Sequence, residues 1–226
     1  VFQKINFAKL KKYKSHLLIS DDYSNDSTIF YSKEIIKKFN LSKLIINKKN
    51  YGYGGNIKKC LKYAIRNKFN YAIMIHGDGQ YSPQYIPKLI KLLEKEKFDA
   101  ATGSRLKSGL KKVISGGMPI YKLLGNIFLT KFFNTVFKSN FEDAHTGLWA
   151  YNLKIFKKIK ISNLPNNFNF DQLLRINLIK KNFKIGEIPI KTIYADERSQ
   201  LHIVYAVKFL FITLIYLLRL EYLLKK

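Results

Sequence analysis

Short apolar runs that stop at polar turns alternate with segments of helical spacing through the first half of the chain. Residues 16–20 (His-Leu-Leu-Ile-Ser) form one such run, which ends at Asp21 and Asp22. Residues 27–39 carry Ile35, Ile36 and Phe39 on one side of an expected helix, and 43–47 is the next expected strand. Gly52, Gly54 and Gly55 lead into a helix with Ile57, Leu61, Ala64 and Ile65 at core spacing. A strand is expected at 71–75. Ser82 as N-cap and Pro83 in the first turn then open a helix to about residue 95. Residues 99–103 read as a further small-residue strand.

Repeated strand–helix units with apolar strands predict an α/β fold, a mainly parallel sheet flanked by helices on both faces. In such sheets ligands bind beyond the carboxyl ends of the strands. Asp21-Asp22, His76 to Asp78 and Gly103-Ser104-Arg105 all fall at such ends.

Beyond Arg105 the pattern changes. Residues 109–117 read as a flexible basic loop, 119–137 as a long apolar helix and 142–149 as a polar turn. A helix is expected from 168 to about 181 and a strand over 184–194. The chain divides into a domain over 1–200 and a tail helix over 201–226. Residues 203–218 are apolar except for Lys208, and Arg219, Lys225 and Lys226 follow them. That is short of the ~20 apolar residues a membrane span needs, so an amphipathic helix lying in the membrane interface is the leading reading. A packing or dimer helix and a tilted span through residue 224 are the alternatives.

The chain has 226 residues, 47% hydrophobic and 15% aromatic, enough to bury a core. A single cysteine, Cys60, excludes an internal disulfide and fits a reducing compartment. The formal charge is +26, from 41 basic and 15 acidic residues. The five Arg are outnumbered by Lys spread along nearly every segment, with no basic stripe or arm. The charge therefore implies general attraction to anions and not a specific nucleic-acid partner. Residue 1 is Val, and residues 7–13 read as a helix end running into the strand at Leu17, which points to an absent first strand.

Ile73-Met74-Ile75-His76-Gly77-Asp78-Gly79-Gln80-Tyr81 is the most informative stretch. A carboxylate and an imidazole two residues apart at a strand end suit a divalent cation that neutralises a diphosphate. Asp78 is the principal candidate metal ligand; its alternative is a turn residue before Gly79. His76 is a ligand, a donor to phosphate or a strand terminus. Asp21 and Asp22 either hold a ribose or base or cap the turn before the following helix. The glycine cluster lets backbone approach a phosphate or is ordinary loop chemistry. Arg105 clamps a phosphate or makes a surface ion pair. Trp149 stacks on a sugar or lies in the core.

Taken in order, Ser20 to Thr28, Asn50-Tyr51-Gly52-Tyr53-Gly54-Gly55-Asn56, His76-Gly77-Asp78-Gly79-Gln80, Gly103-Ser104-Arg105, His145-Thr146-Gly147 and Glu187-Ile188-Pro189-Ile190 resemble glycosyltransferase family 2, in particular its dolichyl-phosphate sugar synthase-like bacterial members. The resemblance runs from Leu17 to about Ser199. It implies a GT-A fold and inverting transfer of a sugar from a nucleotide diphosphate sugar. The candidate nucleotide-sugar residues are Asp21, Asp22, Asn50, Gly54, Gly55, Arg105, His145 and Thr146; the resemblance would put Asp22 near the nucleoside, the turn at Asp143, His145 and Thr146 on the acceptor side, and Arg198 and Ser199 in an anion-binding loop. Asp78 would match the last acid of the family's Asp-x-Asp metal motif, with His76 in place of the first and Mg²⁺ or Mn²⁺ as the cation. Asp143 would contact the sugar or position the acceptor, and Asp171 is the candidate general base if the acceptor is a hydroxyl; with a lipid phosphate acceptor it would orient groups or cap the helix that starts there. The acceptor would be a polyprenyl phosphate or a glycan. The enzyme would be cytoplasmic, peripheral at the anionic inner face of the membrane. A sugar-phosphate nucleotidyltransferase and a non-enzymatic basic module for lipid or nucleic acid are the competing classes.

Overall fold

The computed structural model describes residues 13–38, 42–192 and 203–218. β1 (Leu17–Asp21) pairs in parallel with β2 (Ser42–Ile46), Leu17 opposite Ser42 and Asp21 opposite Ile46, with α1 (Thr28–Lys38) in the connection. α2 (Tyr53–Arg66) leads to β3 (Tyr71–Met74). Ser82 Oγ accepts from Gln84 N at 3.4 Å, and Pro83 opens a short 3₁₀ turn (Pro83–Tyr85) that runs into α3 (Ile86–Glu94). β4 (Ala100–Ser104) follows, then α4 (Leu110–Ser115) and α5 (Ile120–Phe137). β5 (Trp149–Asn152), α6 (Phe170–Lys180), β6 (Ile185–Pro189) and α7 (Ile203–Leu217) complete the order.

Among the described residues the strands form two sheets, β1-β2 and β3-β5-β4-β6. β4 and β6 are parallel. β5 runs antiparallel between β3 and β4, pairing Met74 with Trp149 on one side and Thr102 with Trp149 on the other. The α/β class holds, but its second sheet is mixed. The polar-turn reading of 142–149 missed β5, because its four residues, three of them consecutive and buried, show no alternation with polar positions. Trp149 and Tyr151 face a cluster with Leu61, Phe170, Leu174 and Leu178; Leu148 and Ala150 face Tyr81, Tyr85, Leu89, Leu93 and Ile188. α2 and α6 thus cover one face of the sheet and α3 the other. Ile57, Leu61 and Ala64 point inward as expected, whereas Ile65 is exposed.

Two further expectations change. Residues 109–117 are not a flexible loop: Gly109 (φ +94°) starts α4, and Val113 packs with Met118 and Leu123. The last strand stops at Pro189, with only an isolated bridge from Thr192 to Tyr81 beyond it. α5 buries Leu123, Asn126, Thr130 and Phe133 but leaves Ile120, Tyr121, Leu124 and Phe128 exposed, at 61–72% of their surface. α7 packs on α5 through Phe209 and Tyr216, which contact Phe133 and Phe137, while its Val207, Phe211 and Leu217 remain exposed. The tail helix is therefore both a packing element and a carrier of exposed apolar surface. Among the described residues no helix is long and apolar enough to cross a membrane.

Candidate active site

His76 is the second residue beyond β3, at the carboxyl rim. Its Nε2 lies 3.0 Å from Tyr53 Oη, and Tyr53 Oη donates to Asp171 Oδ2 at 2.6 Å. Three elements meet there: the start of α2, the loop after β3 and the first turn of α6. Tyr53 stacks on Phe168 at 4.9 Å and presents an edge to the imidazole at 5.5 Å. Tyr81 meets the imidazole edge-on at 5.7 Å and accepts from Gly147 N at 3.0 Å. A Cβ on Gly147 would stand 2.6 Å from His76 Cε1, so glycine is what lets the backbone pass the ring.

Among the described residues, buried Asp171 Oδ1 has no hydrogen-bond partner, nor does Arg175 Nε one helical turn away. Burial raises the Asp171 pKa above the ordinary carboxylate value, against the Tyr53 hydrogen bond, His76 and Arg175, which lower it. Burial, then the neighbouring Asp171, raises Tyr53 well above an ordinary phenol. The Arg175 guanidinium lies 5.0 Å from the Trp149 ring and 5.8 Å from that of Phe133, a cation held against aromatic faces.

Asp78 is exposed on the turn beyond His76, and its Oδ1 accepts from Gln80 N at 2.9 Å. Among the described residues no three His, Cys, Asp or Glu side chains cluster as a closed metal site. A carboxylate and an imidazole two residues apart would suit a cation that takes its remaining ligands from substrate phosphates and water.

At the end of β1, Asp22 Oδ1 accepts from Asn47 Nδ2 at 2.7 Å and from Tyr51 N at 2.9 Å. Asn47 Oδ1 accepts from Lys59 Nζ at 2.7 Å, and Asn56 Oδ1 accepts from Ser20 Oγ and Asn47 Nδ2. Lys59 also sits 3.4 Å over the Tyr51 ring. This network joins β1, β2 and α2 and keeps a carboxylate, a cation and an aromatic ring at one rim.

Several expected ligand residues have structural roles. Asp21 is 4% exposed, and its oxygens accept from Tyr23 N, Ser24 N and Ser24 Oγ, so it caps the turn. Asn50 Oδ1 accepts from Gly52 N, likewise a turn contact. Gly54 and Gly55 are buried against the 165–167 loop: a Cβ on Gly54 would stand 2.4 Å from Pro165 O, and Gly55 N donates to Asn166 O at 3.0 Å. Their smallness serves helix–loop packing. Thr146 is buried; its Oγ1 accepts from Leu148 N and its carbonyl from Trp149 Nε1. Trp149 is core, stacked on Tyr151.

Asp143 and Arg105 correct the expectation most. Asp143 is 0% exposed and Arg105 7%. Nε donates to Oδ2 at 2.6 Å and Nη2 to Oδ1 at 3.0 Å, while Nη2 also donates to the His145 carbonyl. Burial alone would raise the Asp143 pKa; Arg105 outweighs it and holds the carboxyl well below its usual range. Asn126 Nδ2 and His145 N donate to the same carboxylate. Asp143 thus anchors the turn before β5. His145 lies 4.1 Å from the Phe209 ring, its buried Nε2 has no partner among the described residues, and burial with nearby Arg175 and Arg105 pushes its pKa down to about 3 despite Asp143. Arg198 and Ser199 lie outside the described residues.

Tyr53, Asn47, Asn56 and Arg175 were not singled out from sequence. Tyr53 and Asn56 sit inside the glycine-rich segment, where the glycines drew the reading. Arg175 falls one turn after Asp171 on α6, a spacing that could have marked it.

The layered sheet with polar side chains along one rim is that of a GT-A glycosyltransferase. Solved structures agree: mannosyl-3-phosphoglycerate synthase from Rubrobacter xylanophilus superposes with a TM-score of 0.67, covering 100% of this chain and 70% of that one at 14% identity. Glucosyl-3-phosphoglycerate synthase from Mycobacterium tuberculosis, solved with Mn²⁺, uridine diphosphate and glucosyl-3-phosphoglycerate, gives 0.61 over 96% of this chain and 73% of that one, also at 14% identity. The chain belongs to glycosyltransferase family 2, whose sequence profile (Glycosyl transferase family 2) matches residues 5–160. An uncharacterised protein of Methanocaldococcus jannaschii is 30% identical over 83% of this chain and 81% of its own length. A UDP-N-acetylglucosamine–dolichyl-phosphate N-acetylglucosaminyltransferase of Methanococcus voltae is 28% identical over 80% and 76%.

Proposed function

We propose that this glycosyltransferase moves a sugar, with inversion, from a nucleoside diphosphate sugar to a polyprenyl phosphate at an anionic membrane face. The observation that carries this reading is the rim itself: exposed Asp78 two residues beyond His76 in one loop, with Asp171 tied to His76 through Tyr53. Asp78 and His76 would hold a divalent cation, which neutralises the diphosphate as the leaving group gains charge. The acceptor oxygen attacks the anomeric carbon, the bond from that carbon to the diphosphate oxygen breaks, and the nucleoside diphosphate leaves with the electron pair. The network around Asp22, Asn47 and Lys59 offers both acceptors and a cation to the nucleoside end.

The membrane part rests on surface chemistry. Ile120, Tyr121, Leu124 and Phe128 line an exposed apolar stripe on α5, and Leu110 and Ile114 are exposed on neighbouring α4. Exposed Lys111, Lys112 and Lys131 accompany them in a chain of net charge +26, which suits an anionic lipid surface. The Methanococcus voltae relative is named for transfer to dolichyl phosphate.

A second reading, transfer to a glycan hydroxyl, is favoured by Asp171. A hydroxyl must lose its proton as it attacks, and a buried carboxylate with raised pKa and an unpartnered Oδ1 is a suitable base. A phosphate acceptor is already anionic and needs no base.

The test is to incubate the protein with uridine and guanosine diphosphate sugars, Mg²⁺ or Mn²⁺, and polyprenyl phosphate in vesicles, then with soluble glycans. Release of nucleoside diphosphate with formation of a glycolipid supports the first reading. Activity confined to glycans supports the second. Release of pyrophosphate overturns both in favour of nucleotidyl transfer.

A further inference from the structure

An aspartate at the first position of the metal motif needs no orientation of its proton, because either oxygen accepts. An imidazole does: in its neutral form one nitrogen donates and the other accepts, and only the acceptor can ligate a cation. Replacement of an acid by His76 therefore calls for a neighbour that decides which nitrogen carries the hydrogen.

Tyr53 stands in that place. Its hydroxyl has one hydrogen and is within hydrogen-bond distance of two groups, Asp171 Oδ2 at 2.6 Å and His76 Nε2 at 3.0 Å. The shorter contact is to a carboxylate, which only accepts when ionised and is the stronger claimant for the hydrogen. The phenol oxygen is then left to face Nε2 with a lone pair, so Nε2 must be the donor. The phenol itself cannot swing away easily, being stacked on Phe168, and the imidazole is confined between Tyr53, Tyr81 and the Gly147 backbone.

We propose that Tyr53 is a positioning residue: it takes its orientation from Asp171, holds His76 as the Nε2–H tautomer, and so leaves Nδ1 as the imidazole's acceptor for the divalent cation shared with Asp78. The proposal rests on the transferase reading above and deepens it, since it ties the acceptor-side carboxylate to the donor-side metal site through one hydroxyl. Hydrogen bonds of this outer kind typically alter metal affinity about 10–100-fold when removed.

The test is long-range ¹H–¹⁵N correlation of the imidazoles in ¹⁵N-histidine-labelled protein, with His76 assigned by loss of its signal in His76→Gln; the chain has four His. Mn²⁺ affinity is measured in parallel by the electron paramagnetic resonance signal of free Mn²⁺ in the presence of uridine diphosphate. The wild type is expected to show Nε2–H. Tyr53→Phe, which keeps the ring stacked on Phe168, is expected to redistribute the tautomers and weaken Mn²⁺ binding about tenfold or more. Asp171→Asn lets its amide donate to the phenol oxygen, freeing the phenol hydrogen for Nε2, and is expected to populate Nδ1–H. An Nδ1–H wild type overturns the proposal, as does an unshifted tautomer in either variant or Mn²⁺ affinity in Tyr53→Phe within about twofold of wild type. Neither readout needs turnover, so a tautomer that responds as expected in a protein that releases no nucleoside diphosphate would sink the transfer reading and leave this one standing.

Discussion

Arg105 grips Asp143 with two nitrogens, Nε at 2.6 Å from Oδ2 and Nη2 at 3.0 Å from Oδ1, in a setting where the carboxylate has no solvent exposure. Removing one partner leaves the other charge buried and uncompensated. Arg105→Ala is expected to cost about 3–5 kcal/mol of stability, and Arg105→Lys to recover little of it because a lysine lacks the planar fork. Urea unfolding followed by circular dichroism checks both. A loss under about 1 kcal/mol, the range of an exposed pair, would contradict the assignment.

His145 gives the protein an acid-sensitive joint. Its folded pKa, about 3, lies below the ordinary 6.5, so the unfolded chain binds a proton that the folded one refuses. Stability should be fully present above about pH 6.5 and fall as pH drops towards 3, with a slope of up to roughly 1.4 kcal/mol per pH unit from this residue. Asp143, depressed by Arg105, adds a loss in the same direction only below the ordinary carboxylate range, as pH falls towards its own lower value. Thermal melts across this window are expected to show a shallower decline in His145→Gln than in wild type between pH 6.5 and 4.

Gly54→Ala and Gly125→Ala should behave oppositely. The added carbon at Gly54 would press into Pro165 O at 2.4 Å and Phe170 Cβ at 2.8 Å, displacing α2 from the loop it rests on, at about 1–3 kcal/mol. At Gly125, inside α5, nothing stands within 4 Å, and the better helix former should stabilise by a few tenths to ~1 kcal/mol. Paired denaturant titrations decide it.

Asp78→Ala is expected to abolish Mn²⁺-dependent binding of uridine diphosphate with little change in melting temperature, since the side chain is exposed and, among the described residues, engages only Gln80 N. Calorimetric titration with and without Mn²⁺ reads this directly. Retained metal-dependent binding would move the cation elsewhere.

Leu124→Asp with Phe128→Asp is expected to weaken binding to anionic phosphatidylglycerol vesicles by tenfold or more, from the loss of two apolar anchors and the gain of two negative charges. Flotation of the double variant beside wild type tests it; equal flotation would leave the α5 stripe without a membrane role.

The α/β class and the positions of the rim were legible because each depends on neighbours in sequence. An apolar run that stops at a turn carrying Asp22 or Asp78 states both a strand and the end at which it opens. Roles that depend on distant partners were not. The claim of Asp143 on Arg105 spans 38 residues, and the loop that occupies the space beside Gly54 lies more than a hundred residues further on. A glycine that admits a phosphate and one that admits a carbonyl oxygen look alike in one dimension. Tyr53 shows the reverse case: its neighbours Gly54 and Gly55 drew attention as ligand residues, while the side chain between Gly52 and Gly54 reaches His76 and Asp171.

The place of β5 in the sheet has a bearing on how the protein is made. β3 and β4 do not pair with each other; both hydrogen-bond to β5, which is translated well after them. As the chain leaves the ribosome, two strands must wait with open edges until Trp149–Asn152 emerges to bridge them. The rim bearing His76 and Asp78 is assembled late, and a nascent chain stalled before that point carries unpaired apolar strands that invite chaperones or association with a neighbouring polysome product.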